Sequence, residues 1–115
     1  MPHEFIPAAR PIIGARERSA VDAVIASGMV VQGPQVAAFE EEFSERVVGG
    51  AHAVAVNSGT SAQHLATLAS GLPEDAEVIV PSFTFAATAN SVVLAGARPV
   101  FADIDLATVT LDTAS

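Results

Sequence analysis

Asn57-Ser58-Gly59-Thr60-Ser61 lies between an apolar run at 53–56 and a helical pattern continuing through 62–70. Its reading decides the fold. A strand that ends in a small-residue turn and opens a helix leaves several backbone N–H groups aimed at one place. The first turn of a helix holds unpaired donors and a partial positive charge, so an anion such as a phosphate is favoured there. Gly59 has no Cβ and lets a ligand come close to the backbone. Two readings of this turn are open from the residues alone. Ser58 or Thr60 caps a helix and nothing more, or the turn seats a phosphate.

Composition narrows the choice of partner. The 115 residues suffice for one modest domain, half of them are hydrophobic, and only 16% are charged. So apolar a balance in so short a chain implies surfaces meant to be covered by more protein. A net charge of -8 argues against a nucleic-acid-binding patch. The absence of cysteine excludes a disulfide framework and a thiolate metal site. His3, His52 and His64 are scattered without a metal-ligand spacing. The N-terminus is polar and proline-rich with no signal-peptide core, and the apolar runs are too short to span a bilayer. A soluble cytoplasmic protein, with no membrane or nucleic-acid partner, is expected. Arg10, Arg16, Arg18, Arg46 and Arg98 exhaust the Lys+Arg count of 5, so the chain has no lysine. A phosphate near Gly59 must then be held mainly by backbone donors and hydroxyls.

Upstream of the turn, 52–56 reads as a first strand. Before it, Pro34 opens a helix over 34–48 in which Val36, Phe39, Phe43 and Val47 share a face. Glu40, Glu41, Glu42 and Glu45 fall mostly elsewhere and read as a solvated face. A helix over 15–27 precedes these, with Gly28 as its stop. Residues 1–14 form an extended arm, kept out of helix by Pro2, Pro7 and Pro11. Downstream, Glu77-Val78-Ile79-Val80-Pro81 is a near-continuously apolar strand, which suits a sheet covered on both faces. A helix over 85–95 and a third strand over 98–103 follow, and 104–115 reads as a connector. Strand, helix, strand, helix, strand is an α/β pattern with parallel strands. Ligands collect at the C-terminal ends of such strands, which here are 58–61, 82–85 and Asp103.

Four stretches, in this order and spacing, resemble the start of the DegT/DnrJ/EryC1/StrS family of sugar aminotransferases. They are RPIIG at 10–14, SGMVVQGPQVAAFEEEF at 27–43, AVAVNSGTSA at 53–62 and EVIVPSFTFAATANSVVLAGARPVFADID at 77–105. The resemblance implies pyridoxal-phosphate enzymes of fold type I, with 15–115 as part of the large cofactor-binding domain, an incomplete α/β fold. It implies that Gly59 and Thr60 hold the phosphate of pyridoxal 5'-phosphate and that Phe85 stacks on the pyridine ring, where an aromatic face holds the ring plane. Without the family, Phe85 reads as an ordinary core residue. Asp103 is not the carboxylate that pairs with the pyridine nitrogen, which the family carries further along; it is expected to bond the following turn. Gln63 departs from the apolar residue usual in the family, and His64 reads as a packed or surface histidine.

The family's cofactor-anchoring lysine, its pyridine-nitrogen aspartate and its small C-terminal domain also have no counterpart in this sequence. The chain is therefore expected to be an N-terminal fragment, inactive alone because the covalent anchor is absent. The implied parent reaction moves an amino group from glutamate to a nucleotide-linked keto-sugar, in a homodimer. Alternatives are the dehydratase branch of the family, in which a histidine replaces the lysine, and a non-catalytic module binding a phosphorylated ligand. In fold type I the strand at 52–56 lies far from the next two, across strands later in sequence. Val54 and Val56 are thus expected to have uncovered flanks, and open edges invite association.

Overall fold

The first helix, α1 (Ala15–Ser27), starts and stops at glycines. The structure, a computed structural model, describes residues 5–7 and 9–115; Pro2, His3 and the other arm residues at 1–4 and 8 lie outside the described residues. Gly14 is the N-cap and has no side chain to bond the helix. Its own amide instead donates to Glu17 Oε2 at 2.7 Å, the return limb of a capping box. Hydrogen bonds from backbone amides hold the Glu17 carboxyl below the ordinary glutamate range. At the other end Gly28 takes φ 72° and donates to the Ile25 carbonyl at 3.0 Å. That left-handed cap is the glycine's purpose there.

The chain divides into two units, Met1–Ala55 and Val56–Ser115. The first also holds α2 (Pro34–Arg46), which stops two residues short of the expected 34–48; Gly49 and Gly50 follow at positive φ. The half-buried side of α2 is not the one expected. Phe39, Phe43 and Val47 are exposed, with the two rings 5.8 Å apart. Val36, Glu40 and Ser44, spaced four apart, are half-buried instead. The reason is a long-range bond: the Ala55 amide donates to Glu40 Oε1 at 2.7 Å. Segment 51–55 thus covers the Glu40 side of the helix. The other glutamates stay solvated, Glu42 pairing with Arg46 at 2.7 Å in an exposed contact of small energetic consequence.

The expected first strand at 52–56 is not a strand. It is extended but belongs to no ladder among the described residues, because a strand exists only through a hydrogen-bonded neighbour. Its expected uncovered flank is present: Val54 is 78% exposed.

The second unit runs α3 (Gly59–Ala69), β1 (Glu77–Pro81), α4 (Ala87–Leu94) and β2 (Arg98–Ala102). The two strands are parallel, in register from Glu77↔Arg98 to Pro81↔Ala102, with α4 as the crossover. Glu77 and Arg98 form an ion pair on the first rung. The core is small: Val80 at 2% exposure, Val92, Ala97 and Ala87, with Ala76, Val78 and Ala89 around them. Helix α4 packs on both strands, and α3 packs on α4. Ile79, on the face opposite buried Val80, remains mostly exposed, so the expected cover on both sheet faces is not found among the described residues. One helix can shield only one face.

Helix α4 begins two residues later than expected. Phe85 instead contributes its carbonyl to the entry turn, accepting from the Thr88 amide at 2.9 Å. Gly96, at φ 80°, turns the chain into β2. Beyond β2, 104–115 is more than a connector. An antiparallel bridge joins Ile104 and Leu111, and Asp105 Oδ1 accepts from the Ala107 and Thr108 amides at 2.7 and 3.0 Å. Those two backbone bonds, Thr108 first, hold the Asp105 carboxyl below the ordinary aspartate range.

Candidate functional site

Ser58 sets the entrance of α3. Its backbone is extended, with φ -160° and ψ 158°, while its carbonyl already accepts the Ala62 amide at 3.0 Å. Ser58 Oγ accepts from the Ser61 amide at 3.1 Å, so this serine is the N-cap. The Ser61 hydroxyl donates to Asn57 Oδ1 at 2.7 Å, and the Ser58 hydroxyl donates to Ser61 Oγ at 3.0 Å. The turn is braced by its own side chains.

The cap uses the amides of Ser61 and Ala62. Those of Gly59 and Thr60 donate to no protein acceptor among the described residues, and both residues are exposed. A Cβ at Gly59 would meet nothing within 4 Å. The fold among the described residues therefore does not demand glycine at 59. Cap and anion seat prove compatible readings: Ser58 serves the first, and two adjacent unpaired donors remain for the second. Such a pair fits a phosphate, which offers several acceptor oxygens and prefers a helix N-terminus.

Phe85 stands in the loop from β1 to α4. It is 78% exposed and takes no part in the core formed by the described residues. The Thr84 and Thr88 hydroxyls are bonded at 2.9 Å beside it and brace the loop. Asp103, at the end of β2, accepts from the Ile104 amide at 2.9 Å and from the Ser82 hydroxyl at 3.3 Å. It bonds the following turn as expected and also ties the ends of the two strands together. Gln63 is exposed, and His64 is half-buried with its Nε2 shielded and unpartnered.

One polar residue with a specific partner escaped the sequence reading. Glu40 looked like one more member of an acidic run, yet it bonds the chain just ahead of the turn. The available signal was its place four residues after Val36 and four before Ser44, on a single helical stripe.

Together, a parallel α/β unit and a helix N-terminus with free amides define an anion-binding α/β segment, and its likeness to solved structures places it in the pyridoxal-phosphate-dependent fold type I class. The sequence pattern of the DegT/DnrJ/EryC1/StrS aminotransferase family matches residues 11–115, and the chain belongs to that family. It is similar to the spore coat polysaccharide biosynthesis protein SpsC of Bacillus subtilis, with 46% identity over 110 residues, 96% of this chain. It spans 28% of that relative's length. Among solved structures it resembles a DegT DnrJ EryC1 StrS aminotransferase from Brucella abortus, with TM-score 0.75 and 40% identity over 83% of this chain and 25% of that one. It also resembles the E. coli GDP-4-keto-6-deoxy-D-mannose-3-dehydratase with bound hydrated PLP, with TM-score 0.83 and 30% identity over 92% of this chain and 28% of that one. No helix among the described residues is long and apolar enough to cross a membrane.

Proposed function

We propose that this chain is the phosphate-seating segment of a cytoplasmic, homodimeric pyridoxal-phosphate enzyme that transfers an amino group from glutamate to a nucleotide-linked keto-sugar. The observation that carries this reading is the pair of unpaired amides at Gly59 and Thr60, in a chain of the aminotransferase family. Gly59 and Thr60 hold the cofactor phosphate, and the exposed ring of Phe85 provides the surface on which the pyridine stacks. Pyridoxal phosphate, when bound, supplies the electron sink that amine transfer needs. The segment's own residues bind, orient and exclude water. Lysine is absent from the sequence, so the covalent anchor is not supplied by these 115 residues. The likeness to SpsC supports an amino sugar destined for polysaccharide. A second reading, the dehydratase branch, is favoured by the likeness to the E. coli dehydratase.

Two substitutions at one position separate donor from space. Proline is tolerated at the first helical position and Ser58 is already extended, so Gly59→Pro removes one amide while leaving the helix start intact. Gly59→Ala keeps the amide and adds only a Cβ. Titration of the 115-residue chain with pyridoxal phosphate, followed by absorbance, is expected to saturate and to be competed by inorganic phosphate. Gly59→Pro is expected to weaken binding about tenfold, the worth of one hydrogen bond to a charged group, and more than Gly59→Ala does. Equal affinity for the proline variant and the parent overturns the assignment.

A further inference from the structure

We propose that Ser91 is a positioning residue for the cofactor: its small side chain keeps α4 close to α3, and that spacing sets the distance between the Gly59 and Thr60 amides and the ring of Phe85. This rests on reading those residues as the phosphate seat and the stacking surface. All of them belong to the second unit, in which α3 packs on α4. Ser91 is 3% exposed, a buried polar residue in mid-helix. Its hydroxyl donates to the Thr88 carbonyl of its own helix at 2.8 Å, so it asks nothing of a neighbour. Val92 and Ala89 pack with Val80 of β1. Ser91 lies about 100° round the helix from Val92 and shares a stripe with buried Ala87, on the side left for α3.

On α3 the half-buried residues are Ser61, His64 and Thr67, while Leu65 and Leu68 are exposed. The polar stripe, not the apolar one, is the covered side, and α4 is the helix packed on α3. His64 Nε2 is shut off from solvent with no partner among the described residues, as a tight seam requires. The distance between packed helices follows the side chains at their contact, so small ones bring the helices close. Helix α3 leads into β1, α4 leads into β2, and the two strands are parallel. Both helices therefore finish where the strands begin and start toward the end where the strands stop. Gly59 opens α3, and Phe85 is tied to the first turn of α4 by its carbonyl, which accepts the Thr88 amide at 2.9 Å. Each ligand contact thus moves with its own helix. A phosphate covalently joined to a ring has a fixed span, so a seam held at the matching width makes both contacts without reordering.

Widening the seam tests this in the full 115-residue chain with two ligands: pyridoxal phosphate, followed by absorbance, and inorganic phosphate, followed by the amide NMR shifts of Gly59 and Thr60. Inorganic phosphate needs only the amides, whereas pyridoxal phosphate needs amides and ring at once. Ser91→Val is expected to weaken pyridoxal phosphate binding about fivefold, the scale of one aromatic contact, and to leave phosphate binding unchanged. Ser91→Ala, conservative in size, is expected to keep the parent affinity for both. In a Phe85→Ala chain, Ser91→Val is expected to cost nothing further, because the ring it displaces is gone. An effect that persists without the ring overturns the proposal. So does undiminished pyridoxal phosphate affinity in Ser91→Val, or an equal loss in Ser91→Ala. Should Ser91→Val lose phosphate binding too, Ser91→Thr decides, since it adds one methyl and keeps the hydroxyl. Equal losses of the two ligands in Ser91→Thr, or no loss, then overturn the positioning role. A parent chain that binds no pyridoxal phosphate removes the cofactor reading and this role with it. A parent that binds both ligands, with neither lowered in Ser91→Val, removes the positioning role alone.

Discussion

Phe85 and Phe39 are both exposed phenylalanines, yet only Phe85 stands at the end of a strand where α/β folds collect ligands. Phe85→Ala is expected to lower pyridoxal phosphate affinity about fivefold, the scale of one aromatic contact. Phe39→Ala, on α2, is expected to leave it unchanged. Parallel titrations check this, and equal effects remove the stacking role. Asp105 offers a pH test at the same scale. Its folded-state pKa is lowered by the Thr108 and Ala107 amides, so its contribution to turn order is present above the unfolded-chain value of about 3.9. It is lost as pH falls through the lower folded value. Exchange at Ala107 and Thr108 is expected to quicken in that acid window in the parent chain. In Asp105→Asn the rates should lack that step.

At the scale of elements, α3 depends on its cap and α4 on its contact with the sheet. Ser58→Ala deletes the acceptor for the Ser61 amide and is expected to cost about 1 kcal/mol. Urea unfolding followed by circular dichroism measures it. Val92 is 3% exposed and sits with Val80 and Ala97 in a very small core. Val92→Ala is expected to cost about 2 kcal/mol, two lost methyl groups plus a cavity. So small a core cannot absorb much, and the larger loss should unfold the second unit before Ser58→Ala does. Helix α2 shows how an element can be right in kind and wrong in facing. Its apolar stripe at Val36, Phe39, Phe43 and Val47 is regular, but the half-buried residues are Val36, Glu40 and Ser44, and the long-range bond falls on Glu40. A hydrophobic period shows which side prefers cover. It does not say which side finds a partner.

For the molecule as a whole, the exposed apolar surface matters most. Ile12, Val54, Phe101 and Leu106 are each more than half exposed, and 51–56 has an open edge. The purified chain is expected to self-associate as its concentration rises, which sedimentation velocity would register as a shift to larger species. Raising the ionic strength should promote this, since a net charge of -8 otherwise keeps copies apart. Amine transfer from glutamate to a nucleotide-linked keto-sugar is expected to be undetectable with the chain alone, for want of a lysine. Product formation above the enzyme-free rate would refute that.

The helices at 15–27 and 34–46, the strands at 77–81 and 98–102, and the cap at Ser58 were legible because each depends on neighbours in sequence: caps, glycine stops, proline at a helix start and short apolar runs. The family was legible for the same reason, through four local motifs in order. Only the tertiary structure decided that 52–56 lacks a ladder, that Ile79 and Phe101 lie open, and that Glu40 reaches Ala55. Pairing and burial are properties of two parts of the chain at once, and a residue pattern specifies only its own half of such a contact.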